Sequence, residues 1–360
     1  MIRTVVTIAL AGLCSLMACT SSDEHSSVER ESSNIEDLGF FDRVAQPIAE
    51  RVVRAQLSPK DSLMLSSDLE IYGVSHMILE DRKLYIVDGS QLRIAILDPE
   101  SLQEEHAIEL SEGGGPGELP HIGNFDVQGD QIMLGDRSLQ RIQYRDLAGE
   151  LISEASIEAY PKSMGLARDG NMIGLLSPLM ANSDDVIHIV STEGELVNSF
   201  ATIQDGRNML TDLRIHGYVS LGGNDQLYYA GYAEHLLKSW DMDGNLIFSV
   251  ETIEPAPDGI NYHTFENSER RGAGYSEYGV YSASGLISTG ADLVVVHAGM
   301  PSFSAPDQPQ YLDFYNPASR MYSHTLVLPH RTSRIAIYEN TLYALHLVDD
   351  EIYLFRYAME

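Results

Sequence analysis

Cysteine and lysine are both scarce in this chain of 360 residues. Its 2 cysteines, Cys14 and Cys19, stand close together at the start, so the rest of the chain carries no thiol. This excludes cysteine nucleophiles, zinc–thiolate sites, thiol redox chemistry and disulfides from the body of the protein. Acidic residues number 53 against 23 Lys and Arg, which gives a formal charge of −30. Such a field repels phosphate, so we expect no nucleic-acid partner.

Phosphate-binding and hydrolase motifs are also missing. The stretch Ser111–Asp136 contains a glycine-dense loop, Gly113–Gly117, that invites a phosphate interpretation. A P-loop needs Gly-Lys-Ser/Thr entering a helix, whereas here Pro116-Gly117-Glu118 leads into an extended run without lysine. No Gly-x-Ser-x-Gly elbow is present either. We therefore interpret the loop as a turn that packs its backbone near the axis of the fold, with Glu118 as its candidate functional side chain.

The first residues have the features of a targeting signal. An apolar run after Arg3 ends in Leu16-Met17-Ala18-Cys19, which resembles the lipobox of bacterial lipoproteins. The resemblance implies a signal peptide over residues 1–18, a lipidated Cys19, and a flexible tether over residues 19–34. Thr20 favours the outer membrane by the same resemblance. Ser22-Asp23-Glu24 resembles the surface-export signal of Bacteroidota lipoproteins, so a periplasmic or a cell-surface orientation both stay open.

A helical period is almost absent from about Asp61 onward, where short alternating runs are separated by turn residues. Six runs form strand–turn–strand units on a Gly, Asn or Asp turn, and a third strand follows each unit. The units begin at His76, Asn124, Ser163, His216, Gly285 and Arg334. This repeat predicts an all-β fold over residues 61–360, a six-bladed β-propeller with four antiparallel strands per blade.

The sixth unit stops after its third strand, so its blade needs an outer strand from elsewhere. An N-terminal strand commonly supplies it, and Ser62 to Tyr72 has strand character. We expect this segment to close the ring. Residues 35–60 form a separate N-terminal segment, in which Phe41 to Leu57 is predicted to contain a short helix interrupted near Pro47.

The long connections fall on one predicted face of the propeller. Turns between first and second and between third and fourth strands share a face and are tight, whereas every long insertion lies on the other face, where function is expected. The first strands start at that face around the channel mouth, which makes His76, Asn124, His216 and Arg334 ligand-binding candidates. His76 and His216 lie across the axis from each other and are the candidate metal ligands. Polar lining of a water-filled channel is the alternative.

The insertion Glu254–Tyr278 adds further candidates. Tyrosine and arginine are favoured at protein contacts, and adjacent arginines can bind an anion. The candidates in this insertion are Tyr262, His263, Arg270 and Arg271.

The stretch Gly113–Ile152 resembles the motif-bearing blade of Bacteroidota six-bladed β-propeller lipoproteins, a TolB-like group related to NHL repeats. The resemblance rests on Gly115-Pro116-Gly117-Glu118 and on an Asp-to-Arg-Ile spacing that occurs twice, at Asp88 with Arg93 and at Asp136 with Arg141. In NHL-type blades this spacing is structural, an acid and a base tying strands together. The resemblance covers about Leu84–Leu151 and transfers no catalytic set.

These observations favour a lipid-anchored, monomeric binding or scaffold module of the outer membrane that presents its long-loop face to a protein, peptide or glycan. No cofactor is predicted. The alternative is a metal-dependent hydrolase, lactonase or lyase with a divalent ion at the channel mouth. A third possibility is assembly with envelope machinery in the manner of TolB.

Overall fold

The computed structural model describes residues 39–47, 50–204, 206–223, 225–253, 260–264, 271–275, 283–297, 309–332 and 334–359. Within the compact unit Asn34–Glu360, six sheets follow one another along the chain as blades of a six-bladed β-propeller, which confirms the predicted fold. Two strands precede the blades, β1 (Val53–Gln56) and β2 (Pro59–Met64), and the short helix α1 (Leu65–Asp68) follows them.

Each blade is an antiparallel sheet whose first strand is innermost. Blade 1 contains β3 (Val74–Glu80), β4 (Lys83–Asp88), β5 (Arg93–Leu97) and β6 (Glu104–Glu109). Blade 2 contains β7 (Asn124–Gln128), β8 (Gln131–Asp136), β9 (Arg141–Asp146) and β10 (Leu151–Ser156). Blade 3 contains β11 (Ser163–Leu166), β12 (Met172–Leu175), the helix α2 (Pro178–Ala181), β13 (Asp185–Val190) and β14 (Leu196–Thr202).

The second half of the ring follows the same plan. The helix α3 (Met209–Arg214) leads into blade 4, with β15 (Gly217–Leu221), β16 (Leu227–Gly231), β17 (Leu236–Trp240) and β18 (Leu246–Glu251). A hairpin of β19 (Ile260–Thr264) and β20 (Arg271–Tyr275) comes next. Blade 5 contains β21 (Gly285–Ser288), β22 (Leu293–Val296), β23 (Gln310–Asn316) and β24 (Met321–Leu328). Blade 6 contains β25 (Arg334–Tyr338), β26 (Thr341–Val348) and β27 (Glu351–Ala358).

The hydrophobic core is divided among the junctions between neighbouring blades. In β4, Leu84 and Ile86 pack toward blade 6, while Tyr85 and Val87 pack toward blade 2. Because successive side chains of a strand point to opposite faces, a strand with a blade on each side must be apolar at every position. This explains why the second strands are continuous apolar runs, and why each of the six junctions has its own buried cluster among the described residues.

An N-terminal strand closes the ring, as the sequence predicts, but its bounds differ. β2 pairs antiparallel with β27, with Leu63 opposite Leu354, and supplies the fourth strand of blade 6. The predicted segment extended to Tyr72, whereas the chain turns into α1 at Leu65, whose side chain is fully buried. The carboxylate of Asp68 accepts a hydrogen bond from the Met64 N–H and thereby favours this helical turn over a longer strand.

The helix predicted within Phe41–Leu57 is wrong over the described residues. This segment wraps the outside of the ring: Val44 bridges to Val250 of blade 4, and β1 adds a parallel fifth strand to β24 of blade 5. The exposed edges of β18 and β24 offer backbone hydrogen bonds that a helix would forgo. Arg51 fixes the wrap through its Nε, 2.9 Å from an Asp313 carboxylate oxygen.

The connections divide between the two faces of the ring as predicted. We call the face with the first-to-second and third-to-fourth turns the turn face; its longest turn, 98–103, has six residues. The opposite face, which we call the loop face, carries α1, α2, α3 and the β19–β20 hairpin. None of the helices in the described parts of the chain is both long and apolar enough to cross a membrane.

Candidate functional site

The first strands of all six blades surround a central channel, which encloses a cavity of about 570 Å³. The candidates predicted at the channel mouth all line this cavity: His76, Asn124, His216 and Arg334. Ser163 and Ser284, at the starts of the first strands of blades 3 and 5, line it as well. They meet there because each first strand begins at the loop face and runs toward the turn face. A cavity of this volume lies within the range of about 300–1,000 Å³ typical of small-ligand sites.

Side chains of the inner strands join neighbouring blades across the channel wall. Glu80 of blade 1 accepts a 2.9 Å hydrogen bond from the Gln128 amide of blade 2. Asp126 of blade 2 accepts one of 2.6 Å from the backbone N–H of Leu166 in blade 3. Arg334 of blade 6 donates its Nε–H to the Ser75 carbonyl of blade 1 at 3.0 Å. The polar lining of the channel therefore also holds the ring together.

Both predicted histidines are uncharged at neutral pH. Burial, with the nearby charges of Arg334 and His121, lowers the pKa of His76 to about 3. Burial and Lys162 lower the pKa of His216 to about 4, with Asp212 opposing the shift. Although the chain has a formal charge of −30, the two residues that act electrostatically on His76 are both basic. The two imidazoles act at pH 7 as neutral hydrogen-bonding groups.

Asp126 is the acidic group of the channel with the most perturbed pKa, and sequence reasoning missed it. It follows Asn124 by two positions on β7 and therefore lies one step deeper along the channel. Burial raises its pKa to about 7, although the N–H groups of Leu166 and Val127 oppose the shift. Its side chain is half-buried because it borders the cavity. The available sequence signal was its spacing: alternate residues of a strand point to the same side, so the residue two positions after Asn124 also points into the channel.

Arg334 and Tyr218 influence each other across the channel. Burial lowers the pKa of the Arg334 guanidinium, while Tyr218 opposes that shift. Burial raises the pKa of the Tyr218 hydroxyl, with Arg334 opposing in turn. Asn124 is held differently, through a 2.9 Å hydrogen bond from its amide nitrogen to the hydroxyl of Tyr160. Arg334 and Tyr218 therefore belong to blades that are not neighbours, blade 6 and blade 4.

Lys162 also lines the cavity, but its charge is balanced locally. Its ammonium donates to a carboxylate oxygen of Asp212 at 2.8 Å and to the backbone carbonyl of the same residue at 2.5 Å. The second carboxylate oxygen of Asp212 accepts a hydrogen bond from the Ser177 hydroxyl. Ser177 caps α2 and Asp212 belongs to α3, so this network fixes both helices beside the channel mouth.

The glycine loop does not lie near the axis, so that interpretation is corrected. It packs on the third and fourth strands of blade 2, where Arg141 donates to the carbonyl of Gly115 at 2.9 Å and Arg145 to that of Gly117 at 2.5 Å. Glu118 lies outside the cavity and folds back on its own loop, accepting the Gly115 N–H at 2.9 Å. The alternating basic and amide side chains of β9 were the sequence signal for this packing.

In each of the two Asp-to-Arg pairs, the acid and the base make separate contacts and do not bond to each other. Asp88 and Arg93 are ladder partners, yet Asp88 accepts from the N–H groups of Tyr72 and Gly73, each at 3.0 Å. Arg93 instead pairs with Glu104 at 3.0 Å. The second pair behaves likewise: Asp136 accepts from Leu139 N–H at 2.8 Å, and Arg141 pairs with Glu154 at 2.9 Å. Each aspartate thus accepts hydrogen bonds from the backbone of a loop, and each arginine links the third strand of its blade to the fourth.

The remaining candidates are described in part or not at all. Tyr262 and His263 lie on β19 and Arg271 begins β20, so the insertion contains a hairpin, whose side chains are not described. Arg270 and Cys19 lie outside the described residues. Among the residues that are described, no group of three or more His, Cys, Asp or Glu side chains is arranged to hold a metal ion.

Comparisons with known proteins identify the fold alone. No protein-family model matches the chain, and no curated protein does. The chain is similar in structure to a member of the DUF4221 family from Bacteroides vulgatus, at 10% identity and a TM-score of 0.57 over 86% of this chain and 98% of that one. It is also similar to a protein from Bacteroides fragilis described as exported, at 13% identity and a TM-score of 0.56 over 85% of this chain and 95% of that one.

Proposed function

We propose that this protein is a binding or scaffold module of the bacterial cell envelope, held at the outer membrane by a lipid on Cys19. The observation that carries the proposal is the channel mouth, where side chains from all six blades converge on a cavity of about 570 Å³. A rigid ring with its longer connections on one face is a suitable scaffold for recognition. The structural similarity to two Bacteroides proteins, one of them described as exported, supports a location in the cell envelope.

The loop face also has apolar side chains suited to contact with a protein, peptide or glycan. Leu179 and Met180 on α2 and Met209 on α3 are exposed beside the channel mouth. The turn face has exposed apolar residues of its own, Ile152 and Val197 among them, so exposure alone does not distinguish the faces. The polar channel mouth is what favours the loop face. A TolB-like or NHL-like role in envelope assembly has no support of its own from the contacts.

Photo-crosslinking in cells that make the protein tests whether the loop face or the turn face contacts the partner. A photoreactive residue is placed at Met180 on the loop face, and at Val197 on the turn face as the matched exposed control. We expect discrete adducts from position 180 and none from position 197. Adducts from position 197 alone would contradict the proposal. Protease treatment of intact cells separates the two orientations, because only a surface-exposed chain is cleaved.

A metal-dependent hydrolase, lactonase or lyase is the second candidate, and Asp126 is the observation that favours it. A carboxyl whose pKa is raised to about 7 inside a cavity can act as a general acid or base. His76 and His216 would then hold the ion. A stoichiometric metal in the purified protein, lost when both histidines are replaced by alanine, would support this function over simple binding.

A further inference from the structure

The way the ring closes leaves blade 6 without a turn that other blades have. In blades 2 and 4 the turn between the third and fourth strands packs on the fourth strand of the preceding blade, and its glycine leaves no room for a β-carbon. Such a carbon at Gly149 would lie 2.5 Å from Ile108, and one at Gly244 would lie 2.7 Å from Phe200. The third and fourth strands of blade 6, β27 and β2, lie far apart in the chain, so no turn joins them.

A cavity of about 480 Å³ lies at this place, and we call it the junction cavity. It is lined by Leu326, the residue of β24 that corresponds to Ile108 and Phe200 in the fourth strands of blades 1 and 3. Met359, directly after β27, and Arg54, on the segment that leads to β2, line it as well. The cavity therefore results from closing the ring with an N-terminal strand. It lies between blades 5 and 6 at the turn face, on the side opposite the channel mouth.

A pair of stacked rings forms part of the wall of the junction cavity. Phe314 and His324 are partners in the pairing of β23 with β24, and their ring centroids lie 4.5 Å apart with the planes inclined by 13°. Burial and the charge of Arg54 lower the pKa of His324, while Asp292 opposes the shift, so the imidazole is neutral at pH 7. Two stacked neutral rings offer a surface on which a further ring can pack.

Opposite charges lie on either side of this ring pair. In the sheet of blade 5, β23 and β24 separate β22 from β1, which places the outer two backbones about 14 Å apart. Asp292 directly precedes β22 and Arg54 lies on β1, and both residues line the cavity. Within the described residues, neither side chain has a hydrogen-bond or ion-pair partner. A ligand that packs on the two rings can therefore contact a carboxylate at one end and a guanidinium at the other.

The charges and the volume of the junction cavity limit the class of ligand. Of the described residues that line it, Asp292 and Glu339 are acidic and Arg54 is basic. A second carboxylate on a ligand would meet like charge there, whereas an ammonium group is favoured. Because Arg54 and Glu339 are exposed to water, each ion pair contributes only a few-fold to affinity. The volume lies within the range of about 300–1,000 Å³ that is typical of small-ligand sites.

We propose that the junction cavity binds a small aromatic zwitterion, an aromatic amino acid either free or within a dipeptide. The ring of the ligand packs on the Phe314–His324 pair, its carboxylate contacts Arg54 and its ammonium group contacts Asp292. A planar guanidinium matches a carboxylate in shape and charge. The site lies on the turn face, so it is additional to the binding function of the loop face and does not depend on it.

Calorimetric titration of the chain from Thr20 to Glu360, which includes the whole compact unit, provides the test. The zwitterions are phenylalanine, glycylphenylalanine and phenylalanylglycine. The matched probes each lack one group: phenethylamine the carboxylate, 3-phenylpropionate the ammonium group and leucine the ring. We expect at least one zwitterion to bind at least threefold more tightly than every matched probe. Binding of phenylalanine identifies a free amino acid, and binding of a dipeptide alone identifies that source. Equal binding of any matched probe, or binding of none of the zwitterions, would overturn the assignment.

Variants of the two charged residues make the test specific. Arg54→Gln should weaken binding of the zwitterion about threefold and leave that of phenethylamine unchanged, because only the contact with the carboxylate is lost. Asp292→Asn should weaken binding of both and leave that of 3-phenylpropionate unchanged. Arg320→Gln is the matched control and should bind like the wild type, because Arg320 is exposed in the turn before β24 and does not line the cavity. Equal losses for the zwitterion and phenethylamine in Arg54→Gln would contradict the proposed orientation.

Variants of the ring pair test the third contact. His324→Phe keeps a ring stacked on Phe314 and should retain binding, whereas His324→Ala removes that ring and should weaken binding at least threefold. Thermal unfolding shows whether each variant remains folded. Wild-type affinity in a folded His324→Ala variant would overturn the assignment. If this variant does not fold, the two charge variants at the cavity still decide it.

Discussion

Asp126 titrates over a range in which the folded and unfolded chains hold different numbers of protons. Its pKa is about 7 in the folded protein, whereas the ordinary pKa of an aspartate side chain is 3.8. Between these values the folded chain keeps a proton that the unfolded chain releases, so the contribution of this group to stability falls as the pH rises from about 4 to about 7. His76 has the opposite sign: its folded pKa of about 3 means that stability falls as the pH drops below about 6.5.

We expect Asp126→Asn to remove the first of these pH dependences. The amide oxygen can still accept the Leu166 N–H, while the buried charge above pH 7 is gone. The variant should match the wild type near pH 4 and exceed its free energy of unfolding by about 1–3 kcal/mol at pH 8. Guanidinium unfolding at both pH values measures the difference. Asp130→Asn, at an exposed residue of the adjacent turn, is the control and should show no such change. A variant less stable than the wild type at pH 8 would refute the assignment.

At the scale of elements, the glycine loop is a closely fitted packing element. A β-carbon at Gly113 would lie 2.1 Å from a carboxylate oxygen of Glu118, and Gly113 has a φ of +152°. A β-carbon added at the neighbouring Gly114 would have no other atom within 4 Å. The two residues therefore make different demands on the backbone, although the sequence presents them as one glycine run.

Gly113→Ala should lower the free energy of unfolding by about 1–3 kcal/mol, because the backbone is strained and Glu118 must move. Gly114→Ala is the matched control and should change it by less than about 0.5 kcal/mol. Both variants should bind channel ligands like the wild type, since the loop packs on β9 and β10 away from the cavity. Equal destabilisation by the two substitutions, measured by chemical unfolding, would disprove the fit described here.

The elements differ in how far the sequence could predict them. Runs such as Leu84–Val87 identify the inner strands, because a residue with a blade on each side must be apolar whatever its partner. β1 was missed because its hydrogen bonds go to the edge of β24, about 270 residues away, which no local pattern records. The same limit applies to the channel: the starts of the first strands were predictable, whereas the electrostatic influence of Arg334 on Tyr218 comes from a blade that is not its neighbour.

At the scale of the whole molecule, the ring is held shut by the pairing of β2 with β27. Asp61 and Arg356 are partners in this pairing, with Nε of the arginine 2.9 Å from a carboxylate oxygen. β2 precedes the first blade and β27 belongs to the last, so their separation would open the ring and expose β27 as an unpaired edge. Such an edge is prone to aggregation.

A disulfide at this pair should therefore stabilise the protein more than one within a blade. In the chain from Thr20 onward, which has no cysteine of its own, we compare Asp61→Cys with Arg356→Cys against the control Asn316→Cys with Met321→Cys, which are partners across one turn of blade 5. Chain entropy favours the long closure over the short one by about 3 kcal/mol. The rise in unfolding temperature on oxidation should be correspondingly larger for the first pair. Identical unfolding of its oxidised and reduced forms would mean that ring opening does not limit stability.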